Sequence, residues 1–326
     1  MVASSELVWN FSHSDNLARK MRAAVILRLG CSSDNLCPFQ NNHAIEWRIG
    51  MPAAAETADV ILLFGGDGTL HRHLSQLVEL GLPVLIVPAG SGNDFARALG
   101  LARVRDSLAA WRSFCAGRDN IRATDLGVIN PLTFEGESGA ALAQVESAPP
   151  ERSQDTQRYF CSVAGVGLDA EVTRRANRLP RWLRGHGGYA LALAPALFRF
   201  APMPMKISAE DGGRWTVRSH QPTMLAAFAN SSTYGGGMKI APQARMDDGQ
   251  LDVCLIGGID PFKLACMFPT VYFGRHLSIR DVTYFQTSCA RLETELPLDV
   301  YADGEYVYKT PVEVTIRRAA LKLLTP

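Results

Sequence analysis

The 326-residue chain carries almost no net charge: 33 Lys+Arg stand against 32 Asp+Glu, leaving +1. Nucleic-acid binding is usually announced by a basic surplus, so composition gives no argument for that partner. Long apolar runs are missing as well. The longest uncharged one, about residues 189–198, is interrupted by Pro195 and falls short of the ~20 residues a membrane-spanning helix needs. The seven cysteines (31, 37, 115, 161, 254, 266 and 289) contain no CxxC pair and are odd in number. That excludes a disulfide framework or a cysteine zinc site and points to reduced thiols in the cytoplasm. Glu6, Trp9, Asn10 and His13 precede any sustained apolar run, so no signal-peptide pattern is visible. Neither GxxxxGK[ST] nor GxGxxG occurs, which excludes a Walker-type loop and a dinucleotide fingerprint.

What is present is a chain 47% hydrophobic and 20% charged, a composition that excludes intrinsic disorder. Its length suggests about two domains. The first part alternates strand and helix patterns. Ala23–Leu27, Val60–Phe64 and Pro83–Val87 are short apolar runs, and Leu70–Leu80 carries an apolar stripe at helical spacing. Phe95–Leu99 and Ser107–Cys115 read as further helices, while Cys31–Asn41 reads as loop. Such alternation implies a doubly wound parallel sheet, with ligands beyond the carboxyl ends of its strands.

The pattern changes after about Asp125. Residues 131–157, poor in large apolar side chains, read as a loop or hairpin tip. Short strand patterns follow: Phe160–Val163, Met205–Ala209, Trp215–Val217, Met224–Ala229, Gln250–Ile256, Thr283–Ser288, Arg291–Glu293, Leu298–Ala302, Val312–Ile316 and Leu321–Leu324. They predict an antiparallel β-sandwich. Helical exceptions are Asp169–Arg178, Leu191–Arg199 and Phe262–Phe273.

Two strand-to-helix junctions are rich in glycine. Gly65-Gly66-Asp67-Gly68-Thr69 closes one apolar strand, and Gly90-Ser91-Gly92-Asn93-Asp94 closes the next after Pro88-Ala89. Glycine lets a ligand approach the backbone, and a helix N-terminus attracts phosphate. Thr69 is suited to capping a helix or bonding a phosphate oxygen, and Asn93 or Asp94 to capping the next helix. Adjacent parallel strands would set both turns side by side.

Taken in order, these motifs resemble the diacylglycerol kinase catalytic-domain family, which includes bacterial lipid kinases and sphingosine and ceramide kinases. The family is distantly similar to NAD kinases and phosphofructokinases. The resemblance continues through Ala123–Gly127, Tyr159–Ala170, Asp247–Asp252 and Ala302-Asp303-Gly304-Glu305. It implies an N-terminal α/β nucleotide-binding domain, residues 1–125 with about 311–326 returning to it. A β-sandwich acceptor domain, residues 126–310, would complete the molecule, with the nucleotide in the cleft between them. The implied reaction is ATP- and Mg²⁺-dependent transfer of a phosphoryl group to diacylglycerol or a related lipid alcohol. An NAD kinase-like activity and a catalytically silent binding protein are the alternatives.

The resemblance also assigns roles. Gly65–Thr69 and Gly90–Asp94 would cradle ATP, while Asp303, accompanied by Glu305, would be the general base. Asp303-Gly304 is equally a turn signal. Asp67, Asp94 and Asp125 match acidic positions forming a water-linked network around the catalytic Mg²⁺. Asp248, with Arg245 and Gln250, matches a structural metal loop, for which a metal-free turn is the alternative. No lysine occurs in either glycine turn, so backbone amides and metal must carry the charge stabilisation.

Two departures stand out. Ile26–Cys31 lacks the Asn-Pro-x-x-Gly turn usual after the first strand, and His71-Arg72 replaces the usual Asn and Glu. His71 reads as an exposed helix residue, with titration near neutral pH or contact with phosphate as the alternative. Arg174, Arg175, Arg178, Arg181 and Arg184 interleave with Leu179, Trp182 and Leu183, which suits peripheral contact with anionic lipid or a solvated basic helix face. The chain is thus expected to be cytoplasmic and to touch a membrane surface. Edge strands of the β domain could pair two subunits.

Overall fold

A computed structural model describes residues 20–40, 44–132, 157–178, 195–197 and 200–326. Its N-terminal part begins with β1 (Met21–Leu27), β2 (Ile45–Ile49), β3 (Val60–Gly65), α1 (Asp67–Leu80) and β4 (Pro83–Pro88). Two further helices, α2 (Asp94–Ala98) and α3 (Val104–Cys115), follow. The strands run parallel in the order β2-β1-β3-β4. Val60–Phe64 of β3 and Val84–Val87 of β4 are buried, which is why they read as continuous apolar runs rather than alternating ones. On α1, Leu70, Leu74 and Leu77 are buried at helical spacing, and Gly81 ends the helix at φ 60°. Fully burying each such leucine contributes about 1.5–3 kcal/mol.

The second part is an antiparallel β-sandwich region. It comprises β5 (Ile121–Pro131), β6 (Arg158–Phe160), β7 (Val163–Gly167), β8 (Met203–Asp211), β9 (Arg214–Ala229) and β10 (Leu251–Gly257). β11 (Val282–Thr287), β12 (Cys289–Thr294), β13 (Asp299–Ala302), β14 (Glu305–Lys309) and β15 (Val312–Leu324) complete it. Helices α4 (Leu168–Ala176) and α5 (Pro261–Val271) pack against it. One hydrogen-bonded path, β14-β13-β7-β9-β8-β12-β15-β4-β3-β1-β2, runs through both regions.

β15 is the joint. Its first half pairs antiparallel with β12, and its last residues pair parallel with β4. The expected strands 312–316 and 321–324 are therefore one strand with a register shift between Arg317 and Leu321, where Ala319 adopts φ 48°. β9 likewise merges two expected strands. Its first half is mostly exposed and its second half is buried, which hid their continuity.

Other differences have similar causes. β2 was not expected, because as an edge strand it buries only Ile45 and shows no apolar run. Residues expected as loop, 31–41, contain a 3-10 turn over Ser33–Phe39. Phe39 meets Phe64 edge-on at 5.4 Å, and the Trp111 indole donates to the Phe39 carbonyl at 3.0 Å. Both are tertiary contacts. The loop expected at 131–157 falls mainly on residues 133–156, outside the described residues, as does most of the helix expected at 191–199. No helix among the described residues is long and apolar enough to cross a membrane.

Candidate active site

β3 and β4 are adjacent and parallel, so their two glycine turns lie side by side. The approach is close: a methyl on Gly66 would stand 2.8 Å from the Gly90 Cα. Asn93, at φ 55°, precedes α2 without capping it. Its amide instead closes the turn on Gly90, accepting from the Gly90 N–H and donating to the Gly90 carbonyl, both at 2.9 Å. The cap expected from Asn93 or Asp94 comes from Asp67. Its carboxylate accepts the amides of Asp94 (3.0 Å) and Phe95 (3.1 Å) at the start of α2. Thr69, expected to cap α1, is buried in the helix and packs on Gly65, where a methyl would lie 2.5 Å from its Cβ.

Asp94 extends the chain of contacts. Its carboxylate takes Arg97 at 2.6 Å and the Gly236 amide at 2.7 Å, tying the Tyr234–Gly237 stretch to the second glycine turn.

Asp303 arrives from the other region. It occupies the β13–β14 turn at φ 50°, so the turn signal and the functional reading describe the same residue. β13 pairs with β7, which brings residues 161–162 against it. The Asp303 carboxylate accepts the amides of Cys161 and Ser162, each at 2.8 Å, and the Cys161 thiol at 3.2 Å. His71 Nδ1 of α1 lies 3.3 Å from Asp303 Oδ2. Glu305 stands beside Gly68, where a methyl would be 3.0 Å from its Oε1.

These parts surround a cleft that is open to solvent. Gly66–Thr69, Gly90–Gly92, Asp94 and Asp303–Glu305 line it. Residues to which the sequence assigned no role also line it, notably Arg28, Arg72, Ser162 and Tyr234. Arg28 follows β1, and the carboxyl end of a parallel strand was a signal that could have found it. Ser162 falls within the Tyr159–Ala170 stretch of the resemblance, but neither it nor Tyr234 was given a role by the sequence.

Residues 39–129 match the diacylglycerol kinase catalytic domain model. Residues 162–325 match the YegS C-terminal NAD kinase beta sandwich-like domain. A diacylglycerol kinase of Mycobacterium tuberculosis is 32% identical over 275 residues, covering 84% of this chain and 79% of that protein. The chain belongs to the diacylglycerol kinase family. It is a lipid kinase. A diacylglycerol kinase of Bacillus subtilis is 25% identical, covering 80% of this chain and 76% of its own. The crystal structure of a diacylglycerol kinase from Bacillus anthracis shares the fold at TM-score 0.60 and 16% identity, covering 94% of this chain and 97% of its own.

The electrostatics of this lipid kinase's cleft follow from burial and crowding. Burial most of all pushes the Asp67 carboxyl up to about 6; bonds from the Asp94 and Phe95 amides oppose it, and the charges of Asp94 and Asp303 reinforce it. Asp303 goes the other way. Burial pulls it up, but His71 and the Cys161 and Ser162 amides hold it below the usual carboxylate range. The Cys161 thiol is held well above its ordinary range by burial and by Asp303, so it stays protonated and donates. The Asp303 side chain is buried, with three donors on Oδ2 and only the Ser162 amide on Oδ1, which keeps a lone pair for a further proton. The buried Ser162 hydroxyl, by contrast, has no protein partner, which leaves it a bond to offer in the cleft.

No three His, Cys, Asp or Glu side chains among the described residues converge to hold a metal directly. The acidic group Asp67, Asp94 and Asp303 suits a hydrated divalent cation instead, since such a charge would offset the burial and, to a lesser degree, the neighbouring charges that raise Asp67.

Other expected site residues lie elsewhere. Asp125 is not brought into the cleft. Its carboxylate is taken by the amides of Gly249 and Ala319, both at 2.7 Å, pinning the irregular point of β15. In the 245–250 loop, Asp248 Oδ1 accepts the Gln250 amide at 3.0 Å. Neither residue lines the cleft, and nor does Arg245, whose side chain pairs with Asp247 at 3.4 Å. Arg174 and Arg175 both pair with Glu171, at 2.6 and 2.5 Å. Arg178 is exposed, while Arg181 and Arg184 fall outside the described residues. His71 is not the exposed helix residue expected: its side chain is only 13% exposed, covered where it meets Asp303.

Proposed function

We propose that the chain transfers the γ-phosphoryl group of ATP, with Mg²⁺, to the hydroxyl of diacylglycerol or a related lipid alcohol. The observation that carries this reading is a narrow apolar chamber sharing Tyr234 with the polar cleft. Leu168, Val172, Leu225, Leu264 and Met267 line it, and α4 and α5 supply part of its walls. A soluble dinucleotide acceptor needs no such chamber. A lipid acceptor does, because its acyl chains must leave water while its hydroxyl reaches the phosphate site.

The residues divide the work accordingly. The backbone at Gly65–Thr69 and Gly90–Asp94 cradles the triphosphate, with Arg28 and Arg72 adding positive charge. Mg²⁺ would neutralise charge developing on the transferred group, held through water by Asp67 and Asp94. Ser162 and Asp303 receive the acceptor hydroxyl. As the acceptor oxygen bonds to phosphorus and ADP leaves, the hydroxyl proton passes to Asp303. A carboxylate of low proton affinity takes it late, in keeping with a loose transition state that needs little base assistance. The 245–250 loop offers the Asp248 carboxylate and the Arg245 and Gln250 carbonyls to a second, structural cation. The basic segment Arg174–Arg184 supports peripheral contact with an anionic membrane surface.

The test is labelled ATP with Mg²⁺ and, separately, diacylglycerol vesicles, sphingosine and NAD⁺. Label is expected in a lipid, reduced about 10²–10⁴-fold by Asp303→Asn. Met267→Trp, which fills the chamber, should raise KM for the lipid more than for ATP. Label in NAD⁺ alone would defeat the lipid reading, and label in none would favour a silent binding protein.

A further inference from the structure

Helix α5 is apolar on two opposite sides. Leu264, Met267 and Val271 are buried and line the apolar chamber. On the other side Phe262, Cys266, Pro269 and Phe273 are exposed, the two phenylalanines at 73% and 74%. Phe273 belongs to the last turn, its amide bonding the Thr270 carbonyl at 3.1 Å, and Gly274 ends that turn at φ 68°. At spacings of four, three and four residues, these side chains fall within about 60° of arc and form one stripe roughly 16 Å long.

A single exposed phenylalanine is ordinary, whereas a continuous apolar stripe on a helix whose inner face is already packed marks a contact surface. Two features identify what it contacts. The first is charge. Residues 261–280 contain Lys263, Arg275 and Arg280, all exposed, and no acidic side chain. Asp260 and Asp281 bound the segment, and the Asp260 carboxylate is occupied by the amides of Phe262 and Lys263 at 2.9 and 3.2 Å. The second is continuity with the chamber. Chamber wall and outer stripe are two sides of one helix about 10 Å across, and Tyr272 at its end lines the polar cleft.

Resting on the lipid kinase reading, we infer that the outer face of α5 docks on an anionic bilayer. Phe262 and Phe273 enter the acyl boundary while Lys263, Arg275 and Arg280 meet the headgroup phosphates. Docking in this way sets the chamber against the membrane that holds the acceptor. The lipid alcohol then reaches the phosphate site without drawing its acyl chains through water. This face lies on a different element from the basic segment that begins on α4, so the two contacts can be tested separately.

The experiment measures co-sedimentation of the full chain with vesicles of phosphatidylcholine and phosphatidylserine. It compares wild type with the pairs Phe262→Ser/Phe273→Ser and Phe262→Leu/Phe273→Leu, with thermal unfolding as the check on folding. The serine pair should bind about tenfold more weakly or worse, and the leucine pair close to wild type. Wild type should bind phosphatidylcholine alone less tightly than the mixture. With a short-chain diacylglycerol in free solution, wild type and serine pair should phosphorylate alike; on vesicle-borne diacylglycerol the serine pair's KM should rise with kcat kept. Unchanged co-sedimentation of the serine pair overturns the docking face, and equal binding to phosphatidylcholine alone overturns the part given to the basic flank. A serine pair that is monomeric where wild type is dimeric, with vesicle binding unaltered, would assign the stripe to a second copy of the chain and overturn the membrane contact. Weakened vesicle binding with no lipid phosphorylated by any variant would sink the kinase reading while leaving the docking face demonstrated.

Discussion

Asp67 Oδ2 accepts the backbone amide of Asp94, 27 positions along the sequence, at 3.0 Å. With the Phe95 amide on its other oxygen, one carboxylate from the first glycine turn caps the helix that opens the second. The two phosphate-binding turns are therefore one mechanical unit. Asp67 does this while crowded by Asp94 and Asp303, and so it couples fold to chemistry.

Replacing Asp67 tests the unit. Asp67→Ala leaves two helix-terminal amides without their acceptor and should cost about 1–3 kcal/mol of stability. Asp67→Asn keeps one acceptor oxygen and should cost less. Chemical denaturation followed by circular dichroism gives both values. Equal losses would mean that the carboxylate is not acting as the cap.

Gly66→Ala and Gly90→Ala probe the contact between the turns. A methyl on Gly90 would lie 2.6 Å from the Gly66 Cα, backbone that cannot swing aside. Each substitution should destabilise by about 1–3 kcal/mol and weaken nucleotide binding measured by calorimetry. Unaltered binding would place the triphosphate away from these turns.

Arg28 is the cation at the end of β1, held by the Ala89 carbonyl. Arg28→Met should raise KM for ATP about tenfold, equivalent to about 1.4 kcal/mol, with little change in kcat. A fall in kcat at constant KM would instead assign Arg28 to the transition state.

Asp169 gives the pH prediction. Burial pushes its carboxyl up to about 6, although the Tyr234 hydroxyl, donating at 2.7 Å, opposes the shift. The fold thus favours the protonated acid. Its stability contribution is complete below the ordinary carboxyl value of 3.8 and is lost as pH rises through about 6. At pH 8 the loss amounts to at most about 3 kcal/mol. Asp169→Asn should match wild type near pH 4 and exceed its denaturation midpoint at pH 8. Midpoints that run parallel across that range refute the assignment.

Much of this molecule was legible in order of residues. Runs such as Val60–Phe64 declare buried parallel strands, and the two glycine turns announce where those strands end. Less legible were elements whose apolar contacts are one-sided or distant. β2 carries too few buried residues to show as a strand, and the turn around Phe39 exists because Phe64 and Trp111 lie against it. In the site, Asp303 was legible as a motif, whereas Ser162, Tyr234 and Arg28 were not, since each is an ordinary residue until the fold turns it into the cleft. Asp125 shows the converse: an acidic position that resembled cation chemistry lies outside the cleft lining, on the amides of Gly249 and Ala319.

By itself the sequence determined the class of fold, the family and the two backbone turns, because local periodicity and glycine spacing are properties of neighbouring residues. Which side chains face one another was decided only by tertiary structure. The pairing of β13 with β7 sets Asp303 against Cys161 and Ser162, and α1 brings His71 to it, each more than a hundred positions from Asp303. No local rule encodes that meeting, since it depends on strand register and on the burial that makes each unpaired charge costly.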